Sequence, residues 1–205
     1  MPNSIASASD VVREAIQRLP ERVFTTRDVM NRVPEASRAL VDQVTSRMVR
    51  AGTLQRLSRG LFSLPIVHRE LGLMGPPSEE VAAAVERDIG MPVIPSGALA
   101  LNVLHLSEQV LAKTEYKTAG PTRTIWIGKL PIRLKHASAR RFRARERIVP
   151  LVIEALSALG RQRVNEDTIK TLRKVISNVD RAALRKHIGD APVWMQGHLR
   201  RIVSE

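Results

Sequence analysis

Apolar residues recur at helical spacing in the first twenty positions. Val12, Ala15, Ile16 and Leu19 form one stripe, with Ser9 placed to cap it and Pro20 to end it. The spacing then changes at Val23–Thr26, where "VFTT" predicts an extended segment with Phe24 inside. A short helix is expected over Arg27–Val33. Thr25 or Thr26 caps it, and Asp28 lies in its first turn, where the helix dipole favours an acid. Pro34 marks a turn. A longer helix follows to about Arg50, with Ser37 as N-cap and Leu40, Val44 and Met48 facing inward. Gly52 ends it. The run Thr53–Leu64, "TLQRLSRGLFSL", gives Leu54, Leu57, Leu61 and Phe62 to two short strands that turn at Gly60.

The segment His68–Glu80 reads as a linker. Ser78 begins a helix with Ala82, Val85 and Ile89 as its stripe, closed by Gly90. "MPVIPSG" (Met91–Gly97) is extended, with Ser96 as a cap for Ala98–Leu104. Strand-like runs follow at Lys113–Thr118, Thr122–Ile127 and Ile132–His136, separated by Gly- and Pro-containing turns. Four helical stretches complete the chain. The first has Pro150 in its first turn and stops at Gly160. The second, Glu166–Ser177, is capped by Asn165, and the third, Arg181–Gly189, by Asp180. The last, Ala191–Val203, is interrupted at Gly197.

This order predicts an α+β chain in three segments. Residues 1–66 read as a winged helix-turn-helix. Residues 67–138 read as an α+β unit with a small, mainly antiparallel sheet, and residues 139–205 as a basic helical bundle.

Charge gives this organisation a direction. The 205 residues carry 33 basic and 20 acidic groups, a net +13, so the expected partner is a polyanion, with nucleic acid first among the candidates. Residues 1–63 are net +4, residues 64–136 net +1 and residues 137–205 net +8, so the basic groups concentrate at the two ends. Aromatic residues make up only 3%, which argues against stacking platforms for single-stranded nucleic acid and for a duplex. The chain lacks cysteine, so disulfides and thiolate metal sites are excluded. The start "MPNSIASASD" does not read as a signal peptide, and no apolar run is long enough to span a membrane, so a cytoplasmic protein is expected.

The candidate contacts with double-stranded DNA lie in two places. The polar side of the third helix offers Arg38, Asp42, Gln43, Thr45, Ser46, Arg47 and Arg50. Arg and Gln are the side chains that pair bidentately with guanine and adenine edges, while Ser and further Arg hold phosphates. Arg56 and Arg59 fall at the tip of the strand pair, where a minor groove or neighbouring phosphates are in reach. Near the C-terminal segment, Ala137–Ile148 contains Arg140, Arg141 and Arg143, suited to forked hydrogen bonds with phosphate. The same residues read alternatively as solvated faces, with Arg38 and Asp42 paired at i,i+4.

Catalytic chemistry has no comparable signature. The histidines at 68, 105, 136, 187 and 198 lack metal-ligand spacing, and no acid is placed to orient one of them beside a serine. Neither phosphate-loop pattern occurs. Glu79, Glu80, Glu86 and Asp88 read as a solvated acidic face. An enzyme is therefore not expected, nor a cofactor or metal.

Three stretches also carry a family resemblance: "SRGLF" (Ser58–Phe62), "PSGALALNVLHLSEQV" (Pro95–Val110) and "YKTAGPTRTIWIG" (Tyr116–Gly128). With the segments around them, over roughly residues 10–140, they resemble bacterial proteins grouped near the AbiEi-type antitoxins of two-gene type IV toxin–antitoxin systems. The resemblance implies a winged helix that binds the operon's own promoter and a second domain that counters a nucleotidyltransferase toxin. It implies DNA reading by the third helix and by the wing tip, Arg56–Gly60.

The expected function is thus a sequence-specific DNA-binding regulator, the antitoxin of an autorepressed operon, with its own promoter, a toxin protein and a second copy of the chain as partners. The alternatives are a winged helix that docks on another protein, and a nucleic-acid-processing enzyme.

Overall fold

The computed structural model describes residues 7–70 and 72–204. The first six residues of the stretch read above for a signal peptide, and Leu71 of the expected linker, lie outside them. The chain is α+β and groups into two compact units, Met1–Gly90 with Ile125–Lys129, and Met91–Thr124 with Leu130–Glu205.

In the first unit, α1 (Ala8–Gln17) starts two residues earlier than a cap at Ser9 would place it. Its cap is Ser7 rather than Ser9. The Ser7 hydroxyl accepts the Asp10 N–H at 3.2 Å, and the Asp10 carboxylate reaches back to the Ser7 N–H, a reciprocal pair that Ser9 has no acid to complete. The same device fixes the next helix. After β1 (Val23–Thr25), Thr25 caps α2 (Thr26–Arg32) in exchange with Asp28. Ser37 then caps α3 (Arg38–Arg50) as expected.

Two strands follow α3: β2 (Gln55–Ser58) and β3 (Leu61–Ser63). The sheet order is β1-β3-β2, both pairings antiparallel, so β3 sits between the strand before α2 and the strand after α3. Phe24 lies opposite Phe62 with ring centroids 5.9 Å apart. Val12, Ile16, Val29, Val41, Val44 and Met48 close over them from the helices. Both rings are almost wholly buried, which makes this pair the hub of the small core.

Parts of the expected linker instead carry regular structure. β4 (Ile66–His68) and β5 (Gly72–Met74) form an antiparallel hairpin, and α4 (Ser78–Ile89) follows, closed by Gly90 in the left-handed conformation. Its Arg87 donates to the Val23 carbonyl at 2.9 Å and meets Asp28 at 3.4 Å, so α4 belongs with the elements before it. Residues 125–129 return to the same unit. A β-carbon on Gly75 would come within 1.9 Å of the Ile127 side chain, so only glycine allows that approach.

The second unit begins with β6 (Val93–Pro95) and α5 (Ala98–Val103). Ser96 does not cap α5. Gly97 holds that position with φ +60°, and the Ser96 hydroxyl turns to a buried acid described below. The strands β7 (Thr114–Thr118) and β9 (Leu130–His136) follow, in the order β6-β7-β9; between them in sequence lies β8 (Arg123–Ile127), whose last three residues fall with the first unit. β6 runs antiparallel to β7. β7 and β9 are parallel, pairing Tyr116 with Leu134, both buried. The alternation of Ile132 and Leu134 with Arg133 matches this burial, Arg133 being exposed.

Four longer helices complete the unit: α6 (Ile148–Leu159), α7 (Glu166–Val175), α8 (Asn178–Lys186) and α9 (Val193–Val203). Gly160 ends α6 and Asn165 caps α7, as expected. Two details differ. α8 starts earlier, capped by Ser177, whose hydroxyl also donates to Asp180 in the first turn. α9 runs unbroken through Gly197, which is solvent-exposed and costs the helix only about 1 kcal/mol relative to alanine. One apolar cluster takes Ala100 of α5 and Leu104, just after it, together with Val152, Leu156, Leu172, Leu184 and Leu199. The α5 segment therefore packs into the core of the four helices.

Candidate nucleic-acid interface

The third helix separates cleanly into two faces. Val41, Val44, Thr45 and Met48 are buried, while Gln43, Arg47 and Arg50 are exposed and Ser46 is half-buried between them. Positions 43, 46, 47 and 50 follow helical spacing, so they form one outward row. Thr45 is not part of the polar face. It is fully buried, and its hydroxyl donates to the Val41 carbonyl at 2.9 Å, satisfying the group inside its own helix. Arg38 stands at the start of α3, paired with Asp42 at 3.6 Å, both exposed.

β2 extends this row. Arg56 is not at the hairpin tip. It sits on the strand opposite Phe62, its guanidinium 5.3 Å from the ring centroid, and it donates to the Ser46 hydroxyl at 3.1 Å. The ring and the serine hold the long side chain in one place against α3. Arg59 and Gly60 alone form the turn between β2 and β3. Gly60 has φ +71°, and its carbonyl accepts the Thr26 N–H at 3.0 Å, which ties the tip to the start of α2. Arg59 is exposed there. The first unit thus presents Gln43, Ser46, Arg47, Arg50 and Arg56 on one continuous surface, with Arg59 at the turn.

The arginines of the second unit stand differently. Arg140 and Arg141 lie in a short 3-10 turn, Ala139–Phe142, followed by Arg143, and all three are exposed. Arg141 is committed to its own protein. It donates to Glu154 Oε1 at 2.5 Å, and the same carboxylate receives Lys117 Nζ at 2.8 Å and the Ser96 hydroxyl at 2.9 Å. Glu154 is 5% exposed, so it needs these donors to be tolerated inside. Sequence reasoning missed this cluster. The one available signal was Glu154 itself, the sole charged residue in the apolar run of α6. Arg140 and Arg143 border a cavity in the same unit.

The other polar candidates find structural partners. His136 Nδ1 lies 3.0 Å from the Gly120 carbonyl, and His187 Nδ1 lies 2.8 Å from Asp190. His105 follows α5 with φ +54°, a helix-end position. Among the described residues, no three His, Asp or Glu side chains converge as metal ligands, and no helix is long and apolar enough to cross a membrane. The shifted acids are both at the surface. The Arg201 guanidinium beside Glu166 holds its carboxyl below the ordinary range, and the Ser7 hydroxyl does the same for Asp10.

Comparison with known proteins adds family membership but no activity. The model of a family of unknown function, DUF6088, matches residues 12–184. No curated protein sequence matches. The crystal structure of the RV2827C protein from Mycobacterium tuberculosis aligns with 97% of this chain and 82% of that chain, at 14% identity and a TM-score of 0.46.

Proposed function

We propose that this chain, which belongs to the DUF6088 family of unknown function, is a sequence-specific, non-enzymatic DNA-binding regulator whose first unit is a winged helix-turn-helix. One observation carries the reading: the outward row of α3 continues onto β2 without a break, through the hydrogen bond from Arg56 to Ser46. The sheet order β1-β3-β2 around three helices supports the winged arrangement. In this reading α3 enters a major groove, with Gln43 and Arg47 towards base edges. Ser46, Arg50 and Arg56 lie at flanking phosphates and Arg59 at the adjoining groove. Arg38, shared with Asp42, is an outlying phosphate contact.

The resemblance to AbiEi-type antitoxins adds a biological setting: repression of the chain's own promoter and opposition to a nucleotidyltransferase-type toxin, with a second copy of the chain on a symmetric operator. The reading does not depend on Arg140, Arg141 and Arg143, which surround a recess and a buried acid.

The test is binding of the full chain to duplex from its own upstream region and to random duplex. Gln43→Ala and Arg47→Ala should each cost about 1–3 kcal/mol on the specific site and much less on random sequence. Equal losses on both would remove the base-reading role. The logarithm of the binding constant should fall with the logarithm of salt by about 0.9 for each phosphate engaged. A flat salt response would favour a winged helix that docks on protein.

A further inference from the structure

The second unit contains a cavity of about 460 Å³ whose rim carries Arg140, Arg141 and Arg143. Its volume lies within the range of small-molecule sites, roughly 300–1,000 Å³. Arg141 is held by Glu154, but no hydrogen bond or ion pair among the described residues engages Arg140 or Arg143. The opposing charges are already occupied: Glu154 by Arg141, Lys117 and Ser96, and Asp190 by His187 at 2.8 Å.

Two helices also begin at this cavity. Val149 and Pro150 lie in the first turn of α6, and Val193 opens α9. Neither helix has a side-chain cap, so their N-terminal dipole ends add positive potential beside the two uncommitted guanidiniums. One side of the wall is apolar, supplied by Val149, Pro150 and Ile153 of α6, with Val193 85% exposed at the mouth; Ser138 and Gln196 add polar groups to the rest of the lining.

From this geometry we propose that the cavity is a binding site for a small phosphomonoester carrying an apolar or aromatic body. Arg140 and Arg143 fork onto the phosphate, and the body lies against the α6 wall. A DNA backbone fits this recess poorly. Its phosphates ride on a convex duplex and would leave the apolar wall facing water, whereas a small ester covers the wall as it neutralises the rim. The site is independent of DNA reading by the first unit.

The experiment is calorimetric titration of the full chain with phenyl phosphate, inorganic phosphate and phenol, followed by competition with random duplex. One saturable site is expected, with phenyl phosphate at least about tenfold tighter than inorganic phosphate because the ring covers apolar surface. The double variant R140A/R143A should weaken it about tenfold or more. V193E, at an exposed position that leaves the core untouched, should weaken it similarly by placing an anion at the mouth, with an unchanged melting temperature. If the arginine variant fails to fold, V193E alone decides. The proposal is overturned if phenyl phosphate shows no saturation up to about 10 mM, a scale set by affinities too weak to count as a specific site. Undiminished binding in V193E overturns it too, as does a duplex held by Arg140 and Arg143 that phenyl phosphate cannot displace.

Discussion

Two arginine-bearing surfaces of this protein are held in place by opposite means. Beneath α3 and β2 lies an apolar core centred on Phe24 and Phe62, and a backbone tie joins Gly60 to Thr26. The charges above face solvent with only light ties to the protein: Arg38 to Asp42, Arg50 to the Ser46 carbonyl, and Arg56 to the Ser46 hydroxyl and the Phe62 ring. In the second unit the charges are themselves the fixings: Arg141 and Lys117 converge on a carboxylate that is almost fully buried. Counting arginines gives the two regions similar standing. Asking what each guanidinium already binds separates a surface with charge to offer from one whose charge is partly spent.

The contrast is most sensitive at Glu154. Glu154→Gln leaves two cations facing a neutral amide, and the chain should lose about 3 kcal/mol, the low end for a broken buried pair because Arg141 is half exposed. Denaturant unfolding measures it. A loss below about 1 kcal/mol would mean the cluster behaves like a surface pair and would erase the distinction. The first region is most sensitive in its backbone. Gly60→Ala must hold a left-handed φ of +71°, so about 1–2 kcal/mol should be lost from backbone strain alone, its methyl making only an ordinary 3.5 Å contact with the Thr26 hydroxyl oxygen. An unchanged melting temperature would show that the hairpin tip is not fixed.

The smallest effect calibrates both. Glu166 and Arg201 form an ion pair at the surface that depresses the Glu166 pKa. A depressed carboxyl pKa contributes stability above its unfolded value, and that contribution fades as pH falls through the folded value. Arg201→Ala should raise the Glu166 pKa towards the ordinary carboxyl range, read by NMR titration, with little change in stability at neutral pH. No movement of the titration would mean that the pair does not persist in solution.

What the sequence discloses follows the range of each interaction. Thr25 with Asp28, and Asn165 with Thr168, lie three residues apart and are readable from the string; Ser7 with Asp10 and Ser177 with Asp180 share that spacing but are misread as caps at Ser9 and Asp180, because more than one capping residue stands near each helix start. The stripe of α3 is legible for the same reason, although Thr45 is misread because a buried hydroxyl bonded within its own helix looks polar in a sequence. Glu154 meets Ser96 from 58 positions away and Lys117 from 37. No local pattern encodes such a meeting, so Arg141 reads as a free phosphate contact. The parallel placement of β9 beside β7 is likewise decided by distant pairing, where the strand-like runs predict only a mainly antiparallel sheet.

The return of Ile125–Lys129 to the first unit bears on how the protein is made. A ribosome that has released residues up to Gly90 has delivered every helix of that unit, yet Ile127, which packs against Gly75, is still 37 residues from synthesis. At roughly 5–20 residues per second, the nascent unit waits a few seconds with that position uncovered. A fragment truncated after Gly90 would wait indefinitely. Its exposed Leu73 and Met74, beside the vacant place of Ile127, give it an apolar surface with nothing of its own to cover it.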